Sequence, residues 1–131
     1  MADFILLNAG ANKVLDAGIA GKAKFGLSTK KVGAEGAGEW KAADTTASAI
    51  TGTGYAMKEE ESPAAATRKK AFGVQKWETT THTDWSNEAR SCYMEVGGVI
   101  ICAWNLREGG GVRDLSAANT TEEFTPTYTQ A

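Results

Sequence analysis

The stretch "RSCYMEVGGVIICAWNL", residues 90–106, is the most hydrophobic part of the chain, and its reading decides the fold. Two runs of β-forming residues flank Gly97 and Gly98, the pattern of a β-hairpin with the glycines in its turn. A three-residue turn at 96–98 would set Cys92 and Cys102 on directly opposed residues. A cross-strand disulfide and two small buried thiols on one apolar face are then the alternatives. Neither cysteine sits in a Cys-x-x-Cys or His-rich context of the kind that holds metal or does redox work.

Outward from the hairpin, short β segments alternate with glycine-rich turns. "AKFGLS" (23–28) points Ala23, Phe25 and Leu27 one way, with Lys22, Lys24 and Gly26 on the other face. "SAITGTGYAM" (48–57) and "AFGVQKWETTT" (71–81) both read as strands, the second rich in β-formers such as Phe72, Val74 and Trp77. "EEFTPTYT" (122–129) puts Phe124, Pro126 and Tyr128 on one face, and Pro126 confines it to a sheet edge. Near the front, Ala11, Val14, Leu15, Gly18 and Ile19 recur at helical spacing. That spacing predicts a helix over 9–20, capped by Asn8 and ended by Gly21. Between Lys30 and Thr46 lies a Gly- and Ala-rich loop anchored by Trp40, and "KEEESPAAATRKK" (58–70) reads as an exposed link around Pro63. The expectation is one domain over 1–131, mainly β: a β-sandwich or partly open barrel with one short N-terminal helix.

Composition narrows the function classes. The 131 residues are 42% hydrophobic and 23% charged, as in a globular protein. A formal net charge of −2 argues against direct nucleic-acid binding, which wants a basic face. The longest apolar runs fall far short of the ~20 residues that span a bilayer. "MADFILLNAG" lacks the basic start and long apolar core of a secretion signal, so synthesis and folding in the cytoplasm are expected.

Motifs that carry chemistry are sparse. "GTG" at 52–54 is followed by Tyr55 and Ala56, whereas a phosphate loop ends in Lys-Ser/Thr and opens a helix. "GAEGAG" at 33–38 lacks the strand and spacing of a dinucleotide fingerprint. His82 is the single histidine, and with Asp84 alone it makes neither a catalytic triad nor a metal set. Glu59, Glu60 and Glu61 read as solvated, and none of the 16 acids carries a mark of burial that a glycosidase acid requires. Trp77 and Trp104 read as core, while Trp40 and Trp85, placed in loops, are candidates to meet a partner. No catalytic, cofactor or metal site is expected.

The order of segments carries a resemblance. A helix ("ANKVLDAGIAG") leads into "KFGLST", then "ITGTGYA", "TTTHTDW", "GGVIICAWNL" and a final "FTPTYT". This resembles a group of small virion structural proteins of tailed bacteriophages, in which an "I/V-x-G-G/T-x-Y-A-R" strand follows the helix and first strand. Gly52, Gly54, Tyr55 and Ala56 match that strand; Met57 and Lys58 stand where arginine is usual, and the 29–40 loop is longer. The resemblance implies a non-enzymatic capsid decoration (cement) protein on the capsid exterior, with the major capsid protein and copies of itself, as a homotrimer, for partners. It implies that "ITGTGYA" is a strand whose Tyr55 packs its ring and keeps its hydroxyl wet. A minor tail or tail-fibre component is the alternative, and a carbohydrate-binding module, suggested by the tryptophans, comes third. The candidate contacts are an N-terminal arm over 1–8 with Phe4, Ile5 and Leu6, together with the loop residues Trp40 and Trp85. In the 59–70 link, Glu59, Glu60 and Glu61 and the bases Arg68, Lys69 and Lys70 either meet opposite charges on adjacent chains or are merely solvated. No membrane and no direct nucleic-acid contact is expected.

Overall fold

The computed structural model describes residues 4–8, 10, 19–33, 38–65 and 69–129. Within them the chain is mainly β. The first strands are β1 (Phe4–Leu6), β2 (Lys22–Ser28), β3 (Lys58–Glu61), β4 (Lys69–Ala71) and β5 (Gln75–Glu78). Then come β6 (Ser91–Val96), β7 (Val99–Asn105), β8 (Thr121–Phe124) and β9 (Thr127–Thr129). Most of the helix expected over 9–20 falls on residues 9 and 11–18, outside the described residues.

Five strands form one antiparallel sheet in the order β1-β7-β6-β2-β3. The β6–β7 hairpin is its centre, but its turn differs from the expected one. Val96 faces Val99, so only Gly97 and Gly98 lie in the turn, with φ of 58° and 80°. Positive φ at both central residues is the signature of a type I′ turn, whose twist suits a tight hairpin. The register then shifts: Met94 faces Cys102 while Glu95 faces Ile100, which leaves Ile101 as a bulge. Cys92 therefore sits opposite Trp104 and Cys102 opposite Met94, so the two thiols are not directly opposed. Both are free and buried, and burial pushes both thiols up.

The remaining strands make a second layer. β4 pairs with β9 and β5 with β8, and between them the Phe72 N–H donates to the Pro126 carbonyl at 3.0 Å. The two pairs are halves of one ribbon. Ala71 faces Thr127 but Gln75 faces Phe124, so one extra residue bulges out at 73–74. Pro126 has no N–H to give, which fits the break between β8 and β9.

Packing follows the alternation of β2. Ala23, Phe25 and Leu27 are fully buried on the face toward the ribbon, where Phe25 meets Phe72 edge-on at 4.9 Å between ring centroids. Met94, Cys92, Cys102, Trp77 and Trp104 complete that core. On the other face Gly26 lies opposite Tyr93, and a side chain on Gly26 would collide with the phenol ring. Tyr93 there joins Trp40, Val32, Leu7 and Ala103 in a second cluster. Both faces of the sheet are covered.

Two expected elements change character. "ITGTGYA" is a turn laid along the edge of β2 rather than a strand: Tyr55 N–H closes on Gly52 O at 3.1 Å, and Gly54 has φ of 78°. Beyond the last β3 pair, Ile50 N–H donates to Leu27 O at 3.0 Å, and Leu27 N–H donates to the Tyr55 hydroxyl at 2.8 Å. That hydroxyl is occupied by the backbone instead of wet, and burial pushes the phenol up. The link at 58–70 is likewise no mere excursion, since it supplies β3 and β4 at its two ends.

Candidate functional site

The two seams of the sandwich differ, and the difference locates the site. On one side β3 is stitched to the ribbon. The Glu60 carboxylate accepts the Gly73 N–H at 3.0 and 3.1 Å and the Gln75 side-chain amide at 2.8 Å. Lys70 Nζ donates to Ser62 Oγ at 2.9 Å and to Pro63 O at 3.0 Å. On the other side, between β1 and β8–β9, the Trp104 indole N–H donates to Thr127 O at 3.1 Å, and a groove of about 520 Å³ opens there.

Aromatic rings floor this groove. Phe4 sits on the edge strand opposite Trp104, with ring centroids 5.8 Å apart, and keeps 36% of its surface exposed. Phe124 lies 5.9 Å from Trp104 on the far side. Along the rim, Thr125, Thr127 and Thr129 recur at every second residue and are exposed. Lys69 faces Thr129 across the β4–β9 pair and also lines the groove. Among the described residues none of these four side chains has a hydrogen-bond or ionic partner. Beneath them burial, with a smaller contribution from Cys102, pushes the Tyr128 phenol up.

The sequence-predicted contact residues are scattered by the fold. Phe4 and Lys69 come together in the groove. Ile5 and Leu6 are half-buried in β1, and Leu7 behind them is fully buried, so the described part of the expected arm is an edge strand of the sheet; residues 1–3 lie outside the described residues. Trp40 and Trp85 are corrections: at 2% and 4% exposure they are core residues with no face left for a partner. The indole of Trp40 donates to Ser91 Oγ at 2.9 Å, and that of Trp85 to Thr53 O at 2.8 Å. Glu59 is exposed and pairs with Lys22 at 3.2 Å, Glu60 is taken by the seam, and Glu61 is exposed at the end of β3. Arg68 lies outside the described residues.

Other polar groups are committed to the fold. Asp84 turns to Thr53, whose hydroxyl at 2.6 Å and N–H at 3.0 Å hold the carboxyl below its usual range. Glu122, 3% exposed, is the buried acid that the sequence reading missed. Its two oxygens receive Arg107 at 3.0 and 2.9 Å, and Arg113 comes to 3.1 Å. The signal was present, because Glu122 shares the inward face of its strand with Phe124. The threonine rim was equally readable as the set that alternates with Phe124, Pro126 and Tyr128. Comparison with protein-family models, with curated proteins and with solved structures finds no match.

Proposed function

We propose that this chain is a non-enzymatic structural protein of a tailed-phage virion, placed on the outside of the capsid as a decoration protein. The sequence resemblance supports this reading, since it spans most of the chain in order. The geometric observation that carries it is the apolar outer edge of β1, which pairs with no strand among the described residues. Edge strands invite pairing with other chains, and charges usually guard them. The far edge, β3, reads Lys-Glu-Glu-Glu, whereas β1 reads Phe-Ile-Leu with Phe4 exposed. An apolar, uncharged edge suits a protein that works by seating against neighbours. On a symmetric shell many weak contacts act together, so each need contribute little.

Quantitative mass spectrometry of purified virions tests the proposal, followed by cryo-electron microscopy of the same particles. Hundreds of copies on the shell, with β1 at a junction between major capsid subunits, is the expected result. A handful of copies at the tail would replace decoration by a tail role. Absence from the particle would end the virion reading.

A further inference from the structure

We propose that the outer edge of β8–β9, residues 125–129, pairs antiparallel with the same edge of a second copy of this chain. This goes beyond the virion reading and concerns the isolated chain, so it stands whether or not that reading survives. The direction of the main chain comes first. Pro126 O accepts the Phe72 N–H inside the ribbon, whereas Thr127 O accepts the Trp104 indole from the groove side. Successive residues of a strand turn their N–H and C=O to opposite sides, so Thr125, Thr127 and Thr129 present theirs to the open edge. Among the described residues the amides of these three have no hydrogen-bond partner, and Thr127 O keeps its second lone pair. The N–H that Pro126 lacks is missing only on the side that faces β4, so the open edge loses no donor there.

Charge and sequence select the occupant. β3 (Lys-Glu-Glu-Glu) and β4 (Lys-Lys-Ala) carry the charges that guard an edge, and they meet at the stitched seam. Residues 125–129, Thr-Pro-Thr-Tyr-Thr, carry none. Threonine stands at every second position of that segment. Run antiparallel to itself about Thr127, it sets Thr127 against Thr127, and Thr125 of one copy against Thr129 of the other. A two-fold contact requires such self-matching, because the same patch serves on both sides. Cross-strand Thr–Thr pairs stabilise a sheet, and all three side chains are exposed on the outer face of the ribbon. Pro126 and Tyr128 stay turned to their own core. A foreign strand would use the same main-chain groups without calling for the threonine period.

Sedimentation equilibrium and backbone amide NMR of the full chain, from about 10 μM to about 1 mM, test the proposal. A monomer–dimer equilibrium is expected. Amide shifts at Thr125, Thr127 and Thr129 should grow with concentration and exceed the shift at Tyr128, whose N–H faces β4. Thr127→Lys sets two like charges opposite each other at the axis and should weaken the dimer at least about tenfold at low salt. Its melting temperature should hold, because the side chain at 127 is exposed. Thr127→Val keeps the branched shape and should weaken the dimer less than about threefold. A chain that stays monomeric at about 1 mM overturns the proposal. So does a dimer whose shifts fall on β1 instead of 125–129, or a Thr127→Lys variant that assembles like the parent.

Discussion

Tyr55 shows how one side chain can stand in for a missing strand. Past the last β3 pair, the Leu27 N–H would be left without a partner inside a fully buried part of β2, and the Tyr55 hydroxyl meets it at 2.8 Å. The ring is held in place by Trp85, edge-on at 5.4 Å, and Trp85 in turn fills the space where a side chain on Gly52 would stand. Gly52, Tyr55 and Trp85 are therefore one unit, and the glycine is there for close approach rather than for a ligand. Tyr55→Phe keeps the ring and removes only the acceptor. It should cost about 1–3 kcal/mol, the penalty of a buried N–H left unpaired. Urea unfolding measures this directly, and a loss below about 0.5 kcal/mol would mean that water or another group replaces the hydroxyl. The wet hydroxyl expected from the sequence failed because strand character says nothing about which distant backbone group lacks a partner.

At the scale of elements, what was legible depended on whether a pattern was local. The faces of β2 followed from alternation alone, and so did the inward set Phe124, Pro126 and Tyr128. The hairpin was legible but its register was not. A bulge at Ile101 and a turn one residue shorter than expected together move the pairing beyond the bulge by two, which separates Cys92 from Cys102 but keeps both on one face, while Ile100, short of the bulge, turns to the Tyr93 face. β3 and β4 were hidden because charged tripeptides read as solvent until a neighbouring edge is known to receive them. The groove was half legible: Phe4 and Lys69 were singled out, yet nothing local joins residues so far apart in the chain. The turn itself makes a prediction. A type I′ turn prefers Asn-Gly, so Gly97→Asn should stabilise the fold by about 0.4–1 kcal/mol through a less flexible unfolded chain. Gly98→Ala should instead destabilise it by about 1 kcal/mol or more, because φ at that position is positive. Thermal unfolding of the two variants checks both signs. Equal losses from the two would return the turn to the three-residue form.

For the molecule as a whole, the unequal seams set where the sandwich opens. The β3 seam is held by a carboxylate with two amide donors and by an ammonium on a hydroxyl and a carbonyl. The β1 seam has, among the described residues, the Trp104 indole bond to Thr127 beside the groove, while its β8 end is clamped where Glu122 meets Arg107 and Arg113. Regions with few buried contacts open locally well before global unfolding. Amide exchange at β9 should therefore be faster than at β6 and β7, which lie inside the sheet with neighbours on both sides. Glu60→Ala supplies the counter-test, because it frees the Gly73 N–H and the Gln75 side-chain amide together. Hydrogen bonds to a charged acceptor contribute about 1.5–3 kcal/mol, and partial exposure of Glu60 brings the expected loss to about 1–2 kcal/mol. The change should be local: faster exchange at Gly73 and along β4 and β5, with β1 and β7 unaltered. If exchange instead rises uniformly, the ribbon and the sheet open as one unit, and the asymmetry between the seams has no consequence for motion.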